Sequence, residues 1–225
     1  MFICIAGNVD AEKVLSRIKD GIKTENSVEI TRYTEDEPAS VVKPYVEQSL
    51  AVAQPMFCFG FKEICETPEK SEKEKVLTSM LIELISGESS PLYEKLINEG
   101  LINDDFSAEY FNGFGYASII FEGESANPKK VAEEIKREVE RLKEDGIDKK
   151  LFSAIRCGMY GNAIRSFNSV ENIASQMVDC AMSDCGLFDE IKYLKSLTMD
   201  DVYKKLLKLD TENTVLSVIN PVEEV

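Results

Sequence analysis

The sequence predicts an α+β fold, in which helices pack on one face of a largely antiparallel mixed sheet. Strand-like runs cluster in the early and middle parts of the chain, whereas helical patterns fill most of residues 148–208. The regular strand–helix–strand alternation of a parallel doubly wound fold is missing. With 225 residues, of which 44% are apolar, the chain is long enough to bury a full core. We therefore expect one domain that spans residues 1–225.

The first 22 residues predict a leading strand and helix. Residues 2–6 form a short apolar run that ends at Gly7 and Asn8. Asp10 is a suitable N-cap for the segment that follows, in which Val14 and Ile18 fall on one helical face.

Further strands and helices are predicted before residue 100. Residues 27–33 alternate between apolar and polar and fit an edge strand, and residues 46–54 alternate more weakly. Residues 56–61 are a continuous apolar run, which suits a strand covered on at least one face. Ser71 and Ser90 are expected to cap a long and a short helix, respectively.

A hairpin is predicted in the middle of the chain. Residues 106–111 and 116–121 are aromatic and β-branched runs, and Asn112-Gly113-Phe114-Gly115 between them favours a tight turn. The remaining elements are a surface helix at 127–142, three or four helices within 148–208 and a last strand at 214–219.

The composition excludes several classes of function. The chain has no histidine, the side chain that most readily transfers protons or binds transition metals near neutral pH. Its 41 acidic and 26 basic residues give a formal charge of −15, which repels nucleic acid and anionic membrane surfaces. No apolar run reaches the roughly 18 residues of a membrane-spanning helix, and the start lacks the basic residues of a signal peptide. We expect a cytoplasmic protein with no nucleic-acid and no membrane partner.

The sequence assigns no catalytic and no metal-binding residue. The six cysteines never form a Cys-x-x-Cys pair, so we expect buried free thiols rather than disulfides or metal ligands. Nucleophiles such as Ser166 and Cys157 have no imidazole base to activate them.

One segment resembles a known family. Residues 86–103, SGESSPLYEKLINEGLIN, resemble the stretch of the insulinase and mitochondrial processing peptidase family in which a small-residue turn precedes Leu-(Phe/Tyr)-x-x-Leu and Gly-Leu. The predicted hairpin and long charged helix follow at the family's usual distance. The ending LTMDDVYKKLLKLDTENTVLSVINP at 197–221 is similar to the family's closing helix and strand. The resemblance to these pitrilysin-type zinc metallopeptidases, or inverzincins, covers nearly the whole chain.

The resemblance implies that this chain is a C-terminal portion without zinc. Enzymes of the family have two related halves that close around a peptide, and the first half binds zinc through His-x-x-Glu-His. That motif requires histidines, so zinc is expected only in the N-terminal half and no cofactor in this chain. Residues 3–10 resemble the strand and turn that lead into the second half.

The resemblance also locates two positions where active members place an arginine and a tyrosine that assist catalysis. These positions correspond to Ile97 and Asn103 in this sequence. Ile97 cannot donate a hydrogen bond and Asn103 offers only a short neutral amide, so neither role can be transferred.

The leading hypothesis is therefore a non-catalytic second half of a zinc metallopeptidase, which encloses and orients peptide substrate. Its partner would be the N-terminal half of the same protein or a homologous subunit. An extended peptide would add to a sheet edge within residues 106–122, with Phe111, Phe114 and Tyr116 as an apolar wall. The alternative is a proteolytically inactive structural or assembly subunit with the same fold. A third possibility, a free-standing small-molecule-binding domain, predicts a deep enclosed apolar pocket.

Overall fold

The computed structural model describes residues 2–22, 31, 33, 37–63, 72–113 and 115–222. These residues contain eight helices and five strands. In chain order the elements are α1 Ala11–Gly21, β1 Tyr45–Leu50, β2 Met56–Glu63, α2 Glu72–Ser86, α3 Pro91–Asn98, β3 Ser107–Gly113, β4 Tyr116–Glu124, α4 Pro128–Asp145, α5 Lys149–Ser166, α6 Val170–Ser183, α7 Asp189–Ser196, α8 Met199–Leu206 and β5 Thr214–Pro221.

The five strands form one mixed sheet in the order β1-β5-β2-β4-β3. β1 pairs with β5 in parallel, and the other three neighbouring pairs are antiparallel. Strand β5 comes last in the sequence of strands yet lies inside the sheet, between β1 and β2. The predicted α+β class with a largely antiparallel mixed sheet is confirmed.

The hydrophobic core lies between the sheet and its helices. Phe57, Phe59 and Phe61 of β2 are buried, and so are Ile119 and Phe121 of β4. They pack with apolar side chains of α2, α4 and α8 in a single cluster. Because side chains alternate along a strand, the residues between them point away from the helices. The continuous apolar run at 56–61 therefore has one covered face.

Most of the predicted local signals act as expected. The hairpin forms between β3 and β4, with Gly113 opposite Tyr116. Ser90 accepts a hydrogen bond from the Tyr93 amide at the start of α3, and Asn127 does the same for Lys130 at the start of α4. Four helices occupy residues 149–206. Ser71 and most of residues 27–33 lie outside the described residues.

The prediction of a strand at residues 2–6 is wrong for this structure. The segment has no regular secondary structure and pairs with no described strand, and an isolated strand has no ladder to satisfy its backbone groups. The helix that follows is confirmed as α1, with the Asp10 side chain accepting a hydrogen bond from the Lys13 amide at 3.2 Å. Neither part of this leading segment contributes a buried residue.

Among the described residues, no helix is both long and apolar enough to cross a membrane.

Candidate functional site

The sheet has one face that the described helices do not bury, which we call the open face. Its large side chains remain accessible: Met56 is 40% exposed, Phe111 51% and Tyr116 40%. The strand registers place the following residues on this face: Val215, Ser217 and Ile219 of β5, Met56, Cys58, Gly60 and Lys62 of β2, Tyr116, Ser118, Ile120 and Glu122 of β4, and Ser107, Glu109 and Phe111 of β3.

Two shallow grooves divide the open face and meet at Cys58. One encloses about 450 Å³ and is lined by Met56, Glu122 and Ile219 among others. The other encloses about 510 Å³ and extends toward Phe111 and Tyr116. Both have the volume of a ligand pocket, but they are open channels rather than the deep enclosed cavity that a free-standing small-molecule domain predicts.

Two of the three predicted substrate-binding residues are brought together. The Phe111 and Tyr116 rings are 5.4 Å apart between centroids and tilted by 33°. Gly113 makes this possible, because a Cβ at position 113 would overlap the Tyr116 ring. Phe114 lies outside the described residues. The hairpin thus presents an exposed aromatic pair at one end of the open face.

Strand β3 forms the end of the described sheet next to this pair. No described strand pairs with its outer edge, which leaves backbone groups available for an added strand. A groove of about 330 Å³ runs between β3 and α2 and is lined by Ser79, Glu83, Ala108 and Asn112 among others. Burial, with a smaller contribution from Glu88, raises the pKa of the Glu83 carboxyl. This edge is flanked by the open face on one side and the groove on the other.

Electrostatics make the centre of the open face a poor place for nucleophilic chemistry. Burial raises the pKa of the Cys58 thiol, and the carboxylates of Glu122 and Glu109 raise it further. A thiol held protonated near neutral pH is a weak nucleophile. Lys62, also on this face, is paired with Glu37 at 3.2 Å between Nζ and Oε2. Cys58 is therefore not an activated nucleophile, and Lys62 is held in an ion pair.

The two positions that correspond to the family's arginine and tyrosine are engaged in structural contacts. Ile97 packs against the hydrophobic core. The Asn103 amide donates to Glu124 at 3.0 Å, and its oxygen accepts from the Asp105 amide at 3.1 Å. In the part of the chain that the structure describes, no group of three or more cysteine or acidic residues is placed to hold a metal ion.

Sequence reasoning missed the importance of Cys58 and Glu122 at the junction of the two grooves. The paired positions Cys58 and Glu122 lie on neighbouring strands 64 residues apart in sequence, so only the β2–β4 register brings them together. A weak signal was present, since Cys58 and Gly60 alternate with the three phenylalanines of β2.

Comparisons with known proteins place the chain in a family. The model of the peptidase M16 inactive domain matches residues 1–159. The uncharacterized zinc protease YmfH of Bacillus subtilis (strain 168) is 32% identical over 213 residues, which are 90% of this chain and 48% of that protein. The chain thus spans about half the length of this curated relative.

Solved structures show the same fold. An M16-like peptidase from Alicyclobacillus acidocaldarius superposes with a TM-score of 0.87 at 22% identity, over 96% of this chain and 53% of that one. A protease from Helicobacter pylori superposes with a TM-score of 0.80 at 18% identity, over 96% of this chain and 54% of that one. The first half of the periplasmic protease PqqL from Escherichia coli superposes with a TM-score of 0.69 at 13% identity, over 96% of this chain and 50% of that one. These structures share the fold, and the family model, which matches more than half of the chain, confirms the predicted family: the chain belongs to the M16 zinc proteases, as a member of their inactive domain.

Proposed function

We propose that this chain is the non-catalytic half of a zinc protease and that it encloses and orients an unfolded peptide for a zinc-binding half. The observation that carries the proposal is the combination of an open sheet face with a β3 edge next to which no described strand lies. A sheet that is covered on one side only and ends in a free edge can accept an extended chain.

The β3 edge supplies the main affinity in this proposal. A peptide that adds as a strand forms backbone hydrogen bonds that do not depend on its sequence, as a protein that handles unfolded chains requires. Its side chains alternate between the two sides of the sheet. One set would enter the groove beside α2, and the other would lie near Phe111 and Tyr116.

The Phe111 and Tyr116 pair supplies side-chain preference. Aromatic side chains are common anchors at binding surfaces because they bury a large apolar area at a low cost in conformational entropy. The groove that contains this pair also holds Lys62, which is paired with Glu37, so the charges beside the rings partly cancel. An apolar peptide side chain is therefore favoured over a charged one.

The test is isothermal titration of an unfolded peptide against two samples: the preceding half alone, and that half joined to this chain. The proposal expects tighter binding by the joined protein, and equal affinity would remove the enclosing role. Phe111→Ala in the joined protein should weaken binding by about tenfold, which corresponds to roughly 1.4 kcal/mol. The matched control is Phe188→Ala, which removes an aromatic ring that is 55% exposed but lies far along the chain in the α6–α7 connection.

The alternative of a structural or assembly subunit is supported by the contacts of Ile97 and Asn103, which contribute no group for polarising a peptide bond. The two functions differ in their partner. A partner with His-x-x-Glu-His and an assembly that hydrolyses peptides support the proteolytic role, whereas an assembly that binds peptide without cleaving it supports the alternative.

A further inference from the structure

We propose that Cys180 and Cys185 form a redox-active pair of thiols, which a low-molecular-weight disulfide oxidises to an intramolecular disulfide. Cys180 lies in the last turn of α6, and Cys185 lies in the connection to α7. Neither residue belongs to the open face or to the β3 edge, so the inference does not rest on the proposed function. It gives the chain a site of covalent modification at the end of a helix.

The first observation is the turn that ends α6. Asp184 adopts the left-handed conformation, with a φ of 54°. The backbone amides of Asp184 and Cys185 both donate to the Cys180 carbonyl, the second at 3.1 Å. These are the hydrogen bonds of a Schellman-type helix end, in which the first and last side chains of the turn frequently contact each other. In this chain both of those side chains are thiols.

The second observation is that the two thiols are already in contact. Cys180 and Cys185 are hydrogen-bonded through their side chains, and both are partly buried. The connection that follows is fixed as well, because the Gly186 amide donates to the Asp189 carboxylate at 2.8 Å. Since the backbone holds the two cysteines together before any reaction, closing the disulfide orders little additional chain.

The third observation is a groove through which a small oxidant can reach the pair. It encloses about 330 Å³ between α2, α5, α6 and the α6–α7 connection, and both cysteines line it. Its charged lining consists of three carboxylates and one ammonium, which belong to Glu72, Asp179, Glu190 and Lys75. Lys75 is paired with Glu72 at 3.3 Å. Because the groove is negative overall, an uncharged disulfide is favoured over an anionic one.

The positions of the protons set the order of the two reaction steps. Burial, and then the hydrogen bond with Cys185, raise the pKa of the Cys180 thiol to about 11, so Cys180 keeps its proton near neutral pH. Cys185 therefore attacks first: its thiolate displaces one thiolate from the small disulfide and forms a mixed disulfide. Cys180 then loses its proton to water and attacks the Cys185 sulfur, which releases the second small thiolate. The protein loses two electrons and two protons, and the small disulfide is reduced to two thiols.

Oxidation of the full chain in buffers of 2-hydroxyethyl disulfide and 2-mercaptoethanol, an uncharged pair, tests the proposal. Trypsin releases residues 166–192 as one peptide, because no lysine or arginine lies between Arg165 and Lys192. This peptide contains both cysteines and no other, so the disulfide makes it lighter by two hydrogen atoms in mass spectrometry. The ratio of oxidised to reduced peptide should be about tenfold higher for the folded chain than for the chain in concentrated urea, because folding raises the effective concentration of one thiol at the other.

Matched variants make the result specific. Asp184→Val should lower the ratio in the folded chain by about tenfold, because a β-branched residue disfavours the left-handed turn. Asp184→Asn removes the same charge but tolerates that conformation, so it should leave the ratio unchanged. Cys180→Ser should leave Cys185 as a mixed disulfide with the small thiol, whereas Cys185→Ser should leave Cys180 reduced. Cys157→Ser, at an exposed cysteine of α5, should not affect the peptide.

Several results would overturn the proposal. The first is a peptide of residues 166–192 that stays reduced while Cys157 is modified. The second is an equal ratio in the folded and the urea-unfolded chain, and the third is an Asp184→Val variant that behaves like Asp184→Asn. Equal modification of the remaining cysteine in Cys180→Ser and Cys185→Ser would overturn the assigned order of attack. No peptide substrate is present in these measurements, so their failure would leave the enclosing role untouched.

Discussion

The buried ion cluster around Lys205 offers the most direct test of how the sheet is joined to its helices. The Lys205 side chain on α8 is 8% exposed, and its Nζ lies 2.7 Å from Glu63 at the end of β2 and 2.6 Å from Glu74 on α2. Lys205→Met would leave the Glu63 carboxylate, which is 11% exposed, without this cation. Removing one member of a buried ion pair typically costs about 3–5 kcal/mol.

The pKa of Lys205 decides the pH at which to measure. Burial alone would lower it, but the charge and hydrogen bonds of Glu63, and then of Glu74, outweigh burial, so the pKa lies above its ordinary value of 10.5. A raised lysine pKa means that the stabilisation is complete below the ordinary value and is lost as the pH rises through the raised one. Neutral pH is therefore well inside the stabilised range.

The assay is urea unfolding at pH 7. Since the slope for unfolding in urea is about 1–3 kcal/mol per M, the midpoint of Lys205→Met should fall by at least about 1 M. Two controls sharpen the result. Lys204→Met removes the neighbouring lysine, whose pair with Asp200 is exposed, and should leave the midpoint unchanged. Lys205→Met combined with Glu63→Gln should recover much of the loss. A midpoint for Lys205→Met that matches Lys204→Met would refute the reasoning.

Three further changes have defined outcomes. Glu83→Gln should stabilise the protein at pH 7 and lose that advantage below about pH 4.5, because burial disfavours the Glu83 carboxylate, which forms only when the pH exceeds the ordinary glutamate pKa. Equal gains in melting temperature at pH 4 and pH 7 would contradict this. Phe59→Ala, at a side chain that is 1% exposed, should cost about 3–5 kcal/mol in urea unfolding, and a loss under about 1 kcal/mol would argue against its central place in the core. Iodoacetamide at pH 8 should label exposed Cys157 well before Cys180, because burial and a hydrogen bond with Cys185 raise the pKa of the Cys180 thiol to about 11. Mass spectrometry of timed samples measures the order of labelling, and labelling of Cys180 first would contradict this.

Local sequence signals predicted the elements of this fold well. Ser90 and Asn127 act as caps because their side chains satisfy amides a few residues away, which depends on nothing distant. The hairpin turn after Asn112 was also predictable, because it too depends only on residues close together in the sequence. The strand at residues 2–6 was wrong because a strand needs a partner, and a pattern of apolar residues does not show whether one is within reach.

The candidate site was only partly predictable. The aromatic pair of Phe111 and Tyr116 could be anticipated, because a hairpin places residues that flank its turn side by side. The junction of the two grooves at Cys58 could not be anticipated. It requires β2 to lie between β5 and β4, and these pairings join segments that are far apart in the sequence. In a run such as 56–61, where both faces are apolar, hydrophobicity gives no indication of which side the helices cover.

The interior position of β5 has a consequence for synthesis on the ribosome. Strands β2, β3 and β4 can pair as soon as they have emerged, but β1 has no other described neighbour than β5 and must wait until five further helices have been translated. During that interval β1 and the outer side of β2 are unprotected, and they are sites at which a chaperone could bind or at which two nascent chains could associate. Slow translation of the helical region would prolong this exposure, so codon usage between α4 and α8 should affect the yield of folded protein more than codon usage elsewhere.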